Sequence, residues 1–319
     1  MGYGMRGHAK ICFQQSFGTA YTASYYSIPL ISESFVEAIP PLVPEGMRSR
    51  YEAGDPFEGP HEITGDLVFE AHPILAGVAL KAWMGQASGT AVASHYSWTF
   101  KPCTSEFDVH AAVPPMTVEI FRDVTSAHQY YDMLCDQLSF EIAHGAIQKI
   151  TMGMIGGKFS QVVKGTPSYL SGSEFTWDQT SVTLATTAED AISNMTLTMM
   201  NALEAKGTLN GTKTPARIKR SGFRSIELSG NILFENETEF DLYRNKTNQA
   251  VVVDVQGGAI SSGYDAEIKF DMPKVKYREF PVNIGGPGMV EVGFTADCLY
   301  DSTSATAIEI TLVNTQTAY

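Results

Sequence analysis

Along much of the chain, apolar and polar residues alternate with a period of two, the pattern of half-buried β-strands. It is clearest over residues 63–70, 138–142, 226–235, 250–255, 266–272 and 307–313, which are rich in Val, Ile, Thr, Phe and Tyr and separated by Gly- and Pro-containing stretches. In the first of these, Ile63, Leu67 and Phe69 point one way, and Thr64, Asp66, Val68 and Glu70 the other. Leu138, Phe140 and Ile142 likewise oppose Gln137, Ser139 and Glu141, and Ile268, Phe270 and Met272 oppose Glu267, Lys269 and Asp271. Helical spacing is rarer. Residues 73–84 carry Ile74, Leu75, Val78, Leu80, Ala82 and Trp83, with Pro73 in the first turn and Gly85 at the end. Residues 126–134 and 237–246 are shorter helix candidates. The expected fold is mainly β, of sandwich or barrel-like domains, with a few helices set between strands.

The pattern occurs twice. Ile63-Thr64-Gly65-Asp66-Leu67-Val68-Phe69-Glu70 aligns with Leu228-Ser229-Gly230-Asn231-Ile232-Leu233-Phe234-Glu235, and a helix candidate follows each copy. Residues 138–142 then match 268–272, and Met154-Ile155-Gly156-Gly157 matches Asn283-Ile284-Gly285-Gly286. Three anchors in one order point to a tandem duplication. The Gly-, Pro- and Ser-containing stretch 165–172 divides the chain into domains 1–168 and 169–319. The first copy is longer, with an elaboration at about 87–136 that holds Trp98, Phe100, Phe107, Pro114 and Pro115.

The 319 residues suit about two domains at roughly 150 residues each. Hydrophobic residues at 44% and charged residues at 18% describe a folded protein rather than a disordered one. No apolar run reaches the roughly 18 residues of a membrane-spanning helix, and the opening residues lack a signal-peptide layout, so neither secretion nor a membrane partner is expected. The net charge is −13, split as −6 before and −7 after the division. That balance argues against gripping nucleic acid by its phosphates and favours repelling a polyanion. Cys12, Cys103, Cys135 and Cys298 form no CxxC pair, which suits free thiols in a reducing compartment. His8 with Cys12, and Cys103 with His110, lack the second ligand pair a metal needs, so no metal is expected.

Several of these motifs carry a resemblance. Gly2-Tyr3-Gly4, Phe17-Gly18-Thr19-Ala20, Ile31-Ser32-Glu33-Ser34, a long loop, the strand from Gly65 to Glu70, the apolar helix after it and the terminal run from Ala305 to Asn314 together resemble phage tail tube proteins of the duplicated kind. The resemblance spans most of the chain and departs from the pattern mainly at 87–136. It implies a structural virion protein made in the host bacterial cytoplasm, with no cofactor. It further implies self-assembly of three chains into pseudo-sixfold rings that stack around a lumen through which DNA passes without specific binding. The other partners it implies are the tape measure, tail terminator and distal tail proteins. Under that reading the polar strand faces become candidates for lining the lumen: Asp66, Glu70, Gln137, Glu141, Ser229, Asn231, Glu267 and Asp271. A solvated outer face fits the same alternation.

The loops before the two matched strands carry opposite charge. Residues 33–62 hold seven acids and two bases, whereas residues 206–224 hold six bases and no acid. The candidate contacts between subunits or rings are Glu45, Arg48, Arg50, Glu52, Asp55 and Glu58 in the first loop. In the second they are Lys213, Arg217, Lys219, Arg220 and Arg224. Complementary loops of this kind set register and partner choice more than raw affinity. Two solvated loops, or a basic loop against nucleic acid, are the other readings.

Catalytic patterns are absent: no GxSxG, HExxH, P-loop or GxGxxG opening a helix. His72, before Pro73, reads as a capping or packing residue, and the paired glycines at 156–157 and 285–286 as turns or bulges. Asn194, Asn210, Asn236 and Asn245 fit the glycosylation pattern but read as coincidences without a secretion signal. The chain is therefore not expected to be an enzyme. The main alternative is a two-domain β-sandwich binding module for carbohydrate or protein, which would cluster its aromatics; Trp83, Trp98 and Trp177 are dispersed. A hydrolase without known motifs would need a carboxylate pair in a cleft.

Overall fold

The computed structural model describes residues 2–319 except Arg48, Arg50, Ala93, residues 105–112 and Ser262. The candidate contacts Arg48 and Arg50, together with Phe107 and His110, therefore lie outside the described residues. The rest is mainly β, with antiparallel strands throughout.

Helix α1 (Pro73–Met84) forms as its sequence predicts. The His72 side chain caps it, Nδ1 accepting from the Ile74 amide at 3.2 Å, and the chain leaves at Gly85 with φ 76°. Its residues are apolar on every side and ten of the twelve are buried, as expected of a helix enclosed by sheets. Helix α2 (Thr238–Asn245) is short and amphipathic, and ends at Lys246 in the left-handed region. The expected helix over 126–134 is instead the start of a long strand, Ala127–Ala143. Most of that stretch is buried, and Asp132 sits at φ 57°. A two-sided burial with a local break erases the period-two signal and leaves apolar residues at helix-like intervals.

One sheet dominates. It begins with two short strands, Leu30–Glu33 and Val36–Ala38, which both pair with Glu62–Glu70. Next come Lys149–Gly156 and the second half of Ala127–Ala143. The latter pairs with Ile192–Met200, which is followed by Ser225–Leu233, Glu291–Cys298 and the end of Tyr264–Glu279. Counting within each half of the chain, the strands lie in the order first, second, fourth, third, and then the same order again. The two sets meet where residues 137–143 pair with 194–200.

The covering strands repeat as well. In the first half, His8–Phe13, Met116–Phe121, the start of Ala127–Ala143 and Lys158–Val162 are neighbours in that order. In the second half, Thr180–Leu184, Gln249–Ser261, the start of Tyr264–Glu279 and Glu309–Asn314 follow the same order. Among the described covering strands, the hairpin Gly85–Val92 with His95–Pro102 has no counterpart in the second half. That hairpin joins the last strand, Thr99 facing Thr311.

Two of the three sequence anchors do not coincide in space. Residues 138–142 lie in the main sheet, whereas 268–272 lie in the covering layer, paired with Gln249–Ser261 and Glu309–Asn314. Met154 to Gly156 is strand, but Asn283 to Gly286 is a loop before Glu291–Cys298. Any two half-buried strands share the alternation, so that pattern cannot by itself fix which strands correspond. Nor does Gly156 mark a turn: a Cβ there would lie 2.2 Å from Met133 Sδ, so the glycine permits close packing.

Gly65 and Gly230 of the first anchor each lie in the second main-sheet strand of their half. A Cβ on Gly65 would come within 2.5 Å of Phe35 Cα, and one on Gly230 within 2.4 Å of the Asn194 carbonyl oxygen. The neighbouring strands crowd the two glycines differently: Phe35 lies over Gly65 where the register from Glu33 to Val36 is regular, whereas the strand beside Gly230 is irregular between Ile192 and Asn194. The inner faces enclose one apolar cluster that includes Phe69, Trp83, Phe140, Leu228, Phe270 and Ile310.

Candidate assembly surfaces

The outer face of the main sheet gathers six of the eight candidate lining residues. Glu70 lies opposite Lys149, Lys149 opposite Glu141, Glu141 opposite Thr196, and Thr196 opposite Ser229. Asp66 and Gln137 flank Gly153, and Asn231 lies opposite Gly293. The two glycines are covered alike: the Asp66 carboxylate and the Asn231 amide oxygen each lie over one, 3.1 and 3.2 Å from where a Cβ would be. Ser139 and Thr198 share a hydroxyl hydrogen bond of 3.1 Å across the seam between the halves.

Glu267 and Asp271 do not join this face. They alternate with Ile268 and Phe270, whose burial turns the two acids to the outside of the covering layer. The Phe140 and Phe270 rings meet 5.0 Å apart between the layers, so Glu141 and Asp271 point in opposite directions. Burial holds the Glu267 carboxyl above its usual range, and the neighbouring Asp254 adds to the effect.

The face is mixed in sign. Lys149 sits between two glutamates, and Arg278 binds Asp297 at 2.9 Å and Glu227 at 2.5 Å. These bases, and the row Thr196, Thr198 and Thr295, were missed by sequence reasoning. The alternation of Asn194, Thr196 and Thr198 with Met195, Leu197 and Met199 was the available signal.

Both ends of the main sheet are open among the described residues. At one end lies 30–38, where Ile31 and Val36 are exposed. At the other, residues 276–279 pair on one side only and run into 280–290, where Ile284 is 82% and Met289 86% exposed.

The two oppositely charged loops meet within one chain. His61 donates its amide to the Lys213 carbonyl at 2.8 Å, and its ring nitrogens bind Glu37 at 2.7 Å and Glu58 at 2.6 Å. Glu58 also takes the Lys213 ammonium. The hydrogen bonds to Glu37, outweighing partial burial, and to Glu58 raise the His61 pKa above its ordinary value. Glu45, Glu52, Asp55 and Arg217 are exposed, and Lys219 is half-buried.

Arg220 and Arg224 serve the interior instead. Both donate to Asn201 Oδ1, at 3.1 and 3.2 Å; Arg224 also donates to the Cys103 carbonyl and stacks over the Trp83 ring at 5.4 Å. Asn201, wholly buried, returns two hydrogen bonds to the Trp83 and Cys135 carbonyls and so closes the end of α1. Those two arginines were expected at the surface because a run of basic residues reads as a solvated loop.

Among the described residues no cluster of His, Cys, Asp or Glu could hold a metal, and no helix is long and apolar enough to cross a membrane. No curated protein matches the chain. A family model described as phage tail tube protein matches residues 4–311, nearly the whole length. With its β-rich fold and open-edged sheet, the chain belongs to the phage tail tube protein family.

Proposed function

We propose that three copies of this chain close into a pseudo-sixfold ring, that the outer face of the main sheet lines the lumen, and that stacked rings conduct DNA during ejection. The observation that carries the reading is the repeated strand order. Within one chain, the third strand of the first half (137–143) pairs with the first strand of the second half (194–200). The corresponding edges left open are the end of Tyr264–Glu279 with the loop 280–286 that follows it, and residues 30–38. Joining these between chains repeats the internal seam, buries Ile31, Val36 and Ile284, and removes both sheet edges. Each half supplies four strands, so six equivalent units arise from three chains. The same repetition supports descent by tandem duplication, with domains 1–168 and 169–319.

The lining would then carry hydroxyls and amides with scattered charges of both signs. The overall charge of −13 keeps phosphate from adhering, so DNA slides. Contacts with the tape measure, terminator and distal tail proteins at the tube ends, and assembly after synthesis in the host cytoplasm, belong to this reading. Nothing in it calls for catalysis or a cofactor.

Cysteines at Glu37 and Ile284 test the seam. All four native thiols are buried, so the background is low. Mild oxidation of assembled protein should give covalent species that stop at the trimer. An open-ended ladder, or no cross-linking in assembled material, contradicts ring closure by this edge.

A further inference from the structure

The strand Ile192–Met200 separates two unlike features. Beyond Met200 the chain enters the basic hairpin of Leu203–Lys206 and Arg217–Arg220, whose tip carries Leu209, fully exposed, with Lys206, which also pairs with Glu204 of its own arm, and Arg217 on its arms. At the Ile192 end, a cleft of about 550 Å³ opens between the two layers. Its apolar floor is formed by Ile142, Val182, Ile192, Met195 and Val253. Its rim carries Trp177, whose ring lies 4.1 Å from that of His144 at a tilt of 53°, and the carboxylates Asp178, Glu189 and Asp190. The nine residues of the strand set the cleft and the base of the hairpin about 30 Å apart.

We propose that this cleft receives the tip of the basic hairpin of a second copy, in the next ring of the stack. The inference rests on the tube reading and assigns the axial contact within it. A fully exposed leucine between basic arms is complementary to an apolar floor with an acidic rim. Because the two features lie at opposite ends of the same strand, the contact is head-to-tail and does not close on itself, which is the geometry of a filament. It also fixes rotation. A pseudo-sixfold ring can stack in two non-equivalent ways, with like halves or unlike halves aligned. The first half carries an acidic loop at the position of the basic hairpin, so only one alignment presents bases to acids. Charge complementarity of this kind selects among otherwise similar docking modes.

The test uses the full chain and negative-stain electron microscopy, with Leu209→Asp, Asp190→Lys, and Lys206→Glu combined with Asp190→Lys. The single variants should leave rings intact and shorten tubes at least tenfold, and the charge-swapped pair should recover length over Asp190→Lys alone. A second measurement is independent of charge. Cysteines at Leu209 and Trp177 should cross-link in assembled tubes to species larger than a trimer, unlike the seam cross-link. Tubes of normal length from both single variants, or no 209–177 cross-link in tubes, overturn this assignment alone. A wild-type chain that forms no rings overturns the tube reading and this proposal with it.

Discussion

Phe140 and Phe270 face each other across the core with ring centres 5.0 Å apart and planes inclined at 67°. One comes from the main sheet and the other from the covering layer, so this pair joins the layers. Either residue replaced by Ala should lower stability by about 3–5 kcal/mol. A double-mutant cycle should show about 0.5–1.5 kcal/mol of coupling beyond the loss of buried area. Additive effects in chemical denaturation would mean that the rings do not hold the layers together.

The same contact separates Glu141 from Asp271. In assembled tubes, a cysteine at Glu141 should be shielded from a bulky maleimide, and one at Asp271 should react at a rate near that of the free chain. Equal protection at both positions would place the covering layer, too, inside the assembly.

Asn201 holds the interior contacts that two surface-type arginines make. Asn201→Leu removes the acceptor for Arg220 and Arg224 and the donors to Trp83 and Cys135. With about 1–3 kcal/mol for each buried group left unpaired, the variant should melt well below the parent. Arg224→Glu should also destabilise the fold, whereas Arg217→Glu should change assembly and leave the melting temperature alone. A normal melting temperature for Asn201→Leu would refute the assignment.

The His61 clasp gives a pH dependence of definite sign. Its folded pKa is raised, chiefly by Glu37, so its contribution is complete below the ordinary histidine value of about 6.5 and disappears as pH rises through the folded value. Amide exchange over residues 51–61, corrected for intrinsic rates, should therefore accelerate above neutral pH. Glu37→Gln should shift that onset to lower pH. An unchanged onset would exclude Glu37 as the cause.

Gly65 and Gly230 test the correspondence of the halves. Alanine at either site forces a Cβ into backbone, so each should cost about 1–3 kcal/mol. Alanine at Gly145 meets open space, but φ 77° there adds backbone strain. Gly4, which is unhindered and lies in no left-handed conformation, is the better control and should tolerate alanine.

Much of the fold was legible in the sequence, and the reasons are physical. Strands with one buried face, such as Glu62–Glu70 and Tyr264–Glu279, display period two directly. Helix α1 announced itself through Pro73 and Gly85. The start of Ala127–Ala143, largely buried and broken at Asp132, lost that signal and resembled a helix. The first anchor contains Gly65 and Gly230, each of which answers a steric demand, while the other two match alternation alone. The polar face could be assembled strand by strand, but which layer Glu267 and Asp271 belong to depends on long-range pairing that no local pattern encodes. Arg220 and Arg224 look like neighbours of Lys219 in sequence, yet a buried asparagine about twenty residues away turns them inward.

The most direct measurement is cryo-electron microscopy of assembled tubes, averaged end-on and then reconstructed. The expected result is a hollow ring of three chains with six similar lobes. Asp66, Glu70, Gln137, Glu141, Ser229 and Asn231 should face the channel, with Glu267 and Asp271 on the outside. A closed oligomer without a channel, or a channel lined by the covering layer, would contradict it.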